Sequence, residues 1–327
     1  MTVTSRSDRT APLTGLRLPI VAAPMFLVSG PDLVIAAAAS GIVGAFPTPN
    51  CRTTAELDEW MGTISEGISS SVSPTAPWAV NLVTHRTNAR LADDLRLVAE
   101  YRPPVVITAL GSPEPVMDTV KGYGGLVLAD VASVRLARKA AGFGVDGMAC
   151  ISAGAGGHTG HLSPFAFVSS VRMFFDGIVV IGGGIADGWG VAGAVAAGAD
   201  LVYMGTRFLT TAESMAPPEY KRMVIEHGPD DLVVSAGITG TPASWLRPSL
   251  IANGLDPDAL TAPATRDYDA TKSVQGRWKD VWAAGQGLGV IDGMGTVSEV
   301  VDELAAEYDA ARARFTDLPA MRTRSGR

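Results

Sequence analysis

Charge is scarce in this sequence. Asp, Glu, Lys and Arg make up 18% of its 327 residues, while hydrophobic residues make up 47%. Positive charge is the scarcer sign: 26 Lys and Arg stand against 33 Asp and Glu, a net charge of −7. A nucleic-acid binder draws affinity from Lys and Arg meeting phosphates, so this balance counts against that class and against a polybasic membrane anchor. Cysteine is nearly absent. Cys51 and Cys150 form no CxxC pair, metal cluster or disulfide framework, so a reducing cytoplasm is the expected location. The longest apolar run, Leu33 to Phe46, is broken by Ser40 and two glycines and falls short of the ~20 residues that span a bilayer. The opening MTVTSRSDRT has no apolar signal core, and residues 1–12 read as a flexible polar tail.

Glycine, by contrast, is abundant: 37 glycines and 21 prolines imply many tight turns between compact elements. The length allows two domains, but the pattern favours one repeated unit. Short β-branched runs begin near Ile20, Ile42, Trp78, Val105, Leu126, Met148, Ile178 and Leu201. Each is almost continuously apolar and bounded by Gly, Pro or Asp, as strands buried on both faces are. Helical patterns lie between them. Asp32, Thr53 or Thr54, and Ser133 read as capping residues, and Gly41, Gly124, Gly144 and Gly198 as stops. Eight strand–helix units predict an α/β fold, a parallel (β/α)8 barrel (TIM barrel) over residues 13–212. The competing doubly wound sheet would carry GxGxxG after its first strand, where APMFLVSGP stands instead. Residues 213–286 are irregular and proline-rich, and read as a small, mainly helical lid or substrate subdomain. Residues 287–317 read as a segment packing back on the barrel, with Val297, Val300, Val301, Leu304 and Tyr308 on one helix face. Residues 318–327 read as a loose tail.

Barrel active sites lie at the carboxyl ends of the strands, which selects the polar residues that matter. After strands 7 and 8 come Gly182 to Gly184 and Met204 to Phe208. Glycines there let backbone N–H groups approach a phosphate, with help from a helix N-terminus and the Thr206 hydroxyl. After strand 6 comes AGAGGHTGH, a glycine-dense loop that can wrap a flat ligand while His158 faces it. His161 is three residues on, but no third ligand or HExxH pattern supports a metal. His85 and His227 lie in polar surface contexts. Asn81 ends strand 3 and either meets a heterocycle edge or makes an Asx turn. Asp130 ends strand 5 and either faces the mouth or caps the next helix. Trp245 is either a pocket wall or a core aromatic. No Gly-x-Ser-x-Gly elbow or Walker loop occurs.

Taken in order, LRLPIVAAPM, WAVNLV, AGAGGHTG, VVIGGGIADGWGVAGAVAAGADLVYMGTRFLTTAES and the late AGQG resemble the nitronate monooxygenase family, formerly called 2-nitropropane dioxygenases. The resemblance runs from about Leu16 to Gly289. It implies an FMN-containing barrel with a small second domain, acting with dioxygen on alkyl nitronates to give a carbonyl compound and nitrite. By position it implies that Pro24 and Met25 lie against the flavin and that Asn81 hydrogen-bonds it. Gly156 and Gly184 would contact FMN, with Gly157 and Gly183 beside them. Met204, Gly205 and Thr206 would form the phosphate loop, and His158 would be the catalytic histidine. The chain departs from the family pattern at Ile151, where a Gln would stand, at Gly154, where a Glu would stand, and at Tyr203, where a Gln would stand. These departures leave the substrate open. An NAD(P)H-dependent FMN enoyl-thioester reductase, acting on an activated alkene, has the same barrel type. A flavin-free phosphate-binding isomerase or lyase barrel is the reading outside redox chemistry.

Overall fold

The computed structural model describes residues 13–71, 75–261 and 279–317, so the tails expected at residues 1–12 and 318–327 lie outside the described residues. Eight parallel strands close into a barrel: β1 (Ile20–Ala22), β2 (Val43–Pro47), β3 (Trp78–Val83), β4 (Val105–Ala109), β5 (Leu126–Val131), β6 (Gly147–Ile151), β8 (Ile178–Gly182) and β9 (Leu201–Met204). The ring closes where β9 pairs with β1, Val202 opposite Ile20 and Met204 opposite Ala22. All eight apolar runs of the sequence are these strands. Helices α1 (Pro31–Ala39), α2 (Thr54–Ser69), α3 (Leu91–Tyr101), α4 (Glu114–Gly122), α5 (Val134–Gly142), α6 (Pro164–Arg172) and α7 (Gly188–Ala196) return the chain between them.

The capping residues act locally. Thr53 accepts from the Glu56 N–H and Ser133 from the Leu136 N–H. Asp32 does not cap α1: Gly30 occupies that position without a side-chain bond, and Asp32 is the second residue of the helix, an acid in its first turn. Gly41, Gly124, Gly144 and Gly198 all take the left-handed backbone at φ between 74° and 108° that ends a helix.

Alternation along each strand gives the barrel two cores. One face packs outward on the helices, through Phe46, Val80, Val106, Val127 and Met204 among others. The other fills the interior with Val21, Val43, Val105, Ile107, Leu126, Leu128, Ile178, Val180 and Leu201. The same alternation points Asn81, Asp130, Ile151 and Tyr203 inward at the mouth-side end.

Beyond β9 the chain adds α8 (Thr206–Leu209), α9 (Pro218–Glu226), β10 (Leu232–Ser235), β11 (Ala243–Leu246) and α10 (Arg247–Ala252). This addition also holds a short antiparallel sheet, ordered β10-β11-β7, whose third strand, β7 (Gly157–His158), comes from the loop after β6. Trp245 is fully buried in the addition's own core with Ile238, Leu250 and Val281, so it is a core aromatic. The last helix, α11 (Val297–Asp317), buries Val297, Val300, Val301 and Leu304 and packs on α7 and α1. Among the described residues no helix is long and apolar enough to cross a membrane.

Candidate active site

The mouth is built from four loops. The first follows β1. Asn50, at the end of a short helical turn after β2, is buried, and all of its amide bonds go to this loop. Its Oδ1 accepts from the Leu27 N–H at 2.8 Å, and its Nδ2 donates to the carbonyls of Met25 at 3.1 Å and Ser29 at 2.8 Å. Ser29 completes the clamp, its Oγ accepting from the Met25 N–H and donating to the Ala23 carbonyl. Leu27 is held at φ +60°, an uncommon conformation for a residue with a side chain. Pro24 and Met25 are thereby fixed at the mouth, and the Met25 sulfur lies 3.4 Å from where a Cβ on Gly205 would sit. Arg90, bonded to the carbonyls of Thr48 and Cys51 and to Asp94, braces the turn that carries Asn50.

The second loop follows β6. Ser152 bonds through its N–H and its hydroxyl to the Gly182 carbonyl, which ties this loop to the end of β8. The third loop, Ala284 to Gly287, interlocks with the second backbone to backbone. The Gln286 N–H donates to the Gly154 carbonyl at 2.9 Å. A Cβ on Gly156 would fall 2.6 Å from the Gly285 nitrogen, so only glycine lets these strands of chain meet. His158 then enters β7 and pairs with Ala243 of β11, while Gly157 pairs with Ser244. The imidazole is half-buried, and desolvation lowers its pKa, so it is neutral at physiological pH.

The fourth part joins the ends of β8 and β9. Among the described residues the N–H groups of Gly183, Gly184, Gly205 and Thr206 donate to no protein group. Gly184 is exposed, and the other three are half-buried. The Thr206 Oγ1 accepts from the Gly285 N–H at 3.0 Å, which leaves its own proton to donate. Met204 offers only its backbone here, because its side chain is in the outer core. One expectation changes. The N-terminus of α7 is not available to an anion: Asp187 accepts from the Gly190 N–H at 2.6 Å and Glu307 of α11 from the Gly188 N–H at 2.7 Å. Two carboxylates already satisfy that dipole.

Inside the barrel, Asn81 Nδ2 donates to Asp130 Oδ2 at 3.3 Å. Asn81 therefore makes no Asx turn, and Asp130 faces the interior while Ser133 alone caps α5. Asp130 Oδ1 and the Tyr203 hydroxyl are closed to solvent without a hydrogen-bond partner. Burial pushes the Asp130 carboxyl up to about 7 and the Tyr203 phenol well above its ordinary value. Ile151 is half-buried on the same inward face. Among the described residues no group of His, Cys, Asp and Glu could hold a metal. His227 binds the Met223 carbonyl, and His85, in the loop after β3, binds the Thr87 hydroxyl.

The reading of sequence missed Asn50's clamp, the Ser152 tie, the β7–β11 pairing and the pair of unpartnered atoms. Asn50 and Ser152 are legible only as polar residues just past strand ends, and Asp130 and Tyr203 as a strand-end acid and a departure from the family pattern, without the unmatched atoms they carry.

A closed parallel barrel with free backbone donors after its last two strands and a neutral histidine at its mouth is the frame of a cofactor-binding barrel enzyme. The chain belongs to the nitronate monooxygenase family, whose model matches residues 8–307, and is an enzyme of that flavoprotein oxidoreductase family. It is similar to the (3aS,4S,5R,7aS)-5-hydroxy-7a-methyl-1-oxo-octahydro-1H-indene-4-carboxyl-CoA dehydrogenase of Mycobacterium tuberculosis, 31% identical over 242 residues, 73% of this chain and 66% of that one. The chain thus spans a little under two thirds of that relative's length. It is 26% identical over 308 residues to a nitronate monooxygenase of Paraburkholderia phytofirmans, covering 80% of this chain and 83% of the relative. Among solved structures it is similar to FabK from Thermotoga maritima, with a TM-score of 0.76 and 25% identity over 96% of this chain and 99% of that one.

Proposed function

We propose that the protein is an FMN-dependent oxidoreductase that oxidises alkyl nitronates with dioxygen to a carbonyl compound and nitrite. The observation that carries this reading is the placement of His158, a neutral imidazole fixed by backbone pairing at a mouth lined with glycine.

The residues present fit FMN. Free N–H groups on Gly183, Gly184, Gly205 and Thr206, with the Thr206 hydroxyl, would hold its phosphate without needing a cation. Pro24 and Met25 on the clamped first loop would border the ring, and Asn81 and Asp130 would meet its polar edge. Gly156 and Gly157 keep one wall free of side chains. When bound, FMN would supply two-electron redox chemistry and the reaction with dioxygen. The chain's residues bind, orient and move a proton. His158 orients a nitronate, or takes the α-proton when the neutral nitroalkane binds, at its unprotonated ring nitrogen.

The test is the visible spectrum of the purified protein, followed by anaerobic titration. Bleaching of the flavin band by propyl-2-nitronate supports the proposal, and a flavin left oxidised by it overturns the proposal. A second reading rests on the 31% identity to a CoA-thioester dehydrogenase: redox chemistry at a carbon beside a thioester. Bleaching by an acyl-CoA thioester, with none by nitronate, selects dehydrogenation. Bleaching by NADH or NADPH selects the enoyl-thioester reductase.

A further inference from the structure

At the mouth-side end of the barrel interior two polar atoms from opposite parts of the ring have nothing to bind. Asp130 Oδ1 on β5 and the Tyr203 hydroxyl on β9 are both shut off from solvent. Tyr203 is 7% exposed overall. Buried polar groups are nearly always matched, so two such atoms, on residues near enough for the Asp130 charge to act on the Tyr203 phenol, mark a missing partner. Neither is there by default. A Cβ on Gly182 would lie 2.9 Å from the Tyr203 Cβ, so a glycine beside it makes room for the phenol. The Asn81 amide takes up Asp130 Oδ2 and leaves Oδ1 as the end that can meet a ligand.

We propose that Asp130 and Tyr203 act together as a two-donor site for a carbonyl oxygen at the polar edge of the bound flavin, and that they stabilise the negative charge this edge gains when the ring is reduced. The proposal rests on the FMN reading above. It requires no bond at either residue to break. The substrate would lose two electrons to the bound ring and be oxidised, and the negative charge the ring would gain would be met by two hydrogen bonds. A carboxylic acid kept neutral by its surroundings is a strong donor to such an oxygen, and a phenol beside it is a second.

The surroundings favour that form, raising the Asp130 carboxyl to about 7. From β3 it faces the neutral amide of Asn81, and from β4 the apolar Ile107 and Ala109. From β9 it faces the Tyr203 phenol, and from β6 the inward-facing Ala149, its register partner, and Ile151; the Cys150 thiol, in the outer core next along β6, is kept neutral by burial. No cation among the described residues acts on it. A flat ligand over the mouth removes more water and favours the acid further.

The experiment reconstitutes the full chain with FMN and measures two quantities across pH 6 to 9: FMN affinity by fluorescence quenching, and midpoint potential by reductive titration with a reference dye. Tyr203→Phe deletes one donor and keeps the ring. Its ratio of reduced to oxidised FMN affinity is expected to fall about tenfold or more, seen as a lower potential. Asp130→Asn keeps a donor but cannot titrate. It is expected to hold a potential near that of the wild type while losing the break in the pH profile that Asp130 gives. Potentials and pH profiles unchanged in both variants, with FMN bound normally, overturn this inference alone. A wild-type chain that takes up no FMN overturns the cofactor reading and this inference with it.

Discussion

The barrel interior has two ends made by the same strands and the same alternation, and they are filled by opposite rules. At the end away from the mouth, Val105, Leu126, Ile178 and Leu201 pack apolar side chains on one another. At the mouth-side end the next inward positions are Asn81, Asp130 and Tyr203, with two atoms unmatched. The first end repays close packing with stability. The second leaves buried polar atoms unmatched, at a cost in stability. Within one barrel the difference separates what holds the fold from what serves the site.

That contrast can be broken at either end. The largest expected effect is at the mouth: His158→Ala retains FMN and loses roughly 10²–10⁴-fold in turnover of a neutral nitroalkane. Stopped oxygen uptake alongside the flavin spectrum measures both, and near wild-type turnover removes the base assignment. The same imidazole gives a pH test. Because its pKa is lowered, the acid limb of kcat/KM should fall below the ~6.5 of a free imidazole. Next comes the packed end. Leu126→Ala should cost about 2–5 kcal/mol in urea unfolding and leave the flavin potential unchanged.

Asp130→Asn should act in the opposite direction on the unliganded protein. The carboxyl's pKa is raised in the fold, so its contribution is fully present below the unfolded value near 4 and is lost as pH rises through about 7. At pH 8 the variant should therefore be the more stable, by about 1–3 kcal/mol in urea melts of the apoprotein, and the two should converge at pH 4. The smallest effect belongs to the first loop. Asn50→Ala frees the Met25–Ser29 turn, and FMN affinity should weaken about tenfold with little change in KM for nitronate.

How much of this was legible follows from distance along the chain. The eight strands announce themselves because each is a continuous apolar run between breakers. Their helices do so because Thr53 and Ser133 cap within three residues of their targets. The glycines after strands 6, 7 and 8 could be placed by barrel geometry alone. What stayed hidden is long-range. Glu307 reaches the Gly188 N–H from α11, and no local pattern foretells that it closes the α7 terminus to an anion. Strand β7 is two residues long, glycine and histidine, with no alternation to read. Asp130 and Tyr203 face each other only once β9 has met β1 and the ring is closed.

The β7–β11 pairing has a consequence for the order of assembly. His158 is made early, yet the strand that aligns it, Ala243–Leu246, is made only after the whole barrel has been synthesised. Domains tend to form as units from the amino end during synthesis. The barrel strands therefore exist before β7 can find its partner, and alignment of the proposed base is a separate, later event.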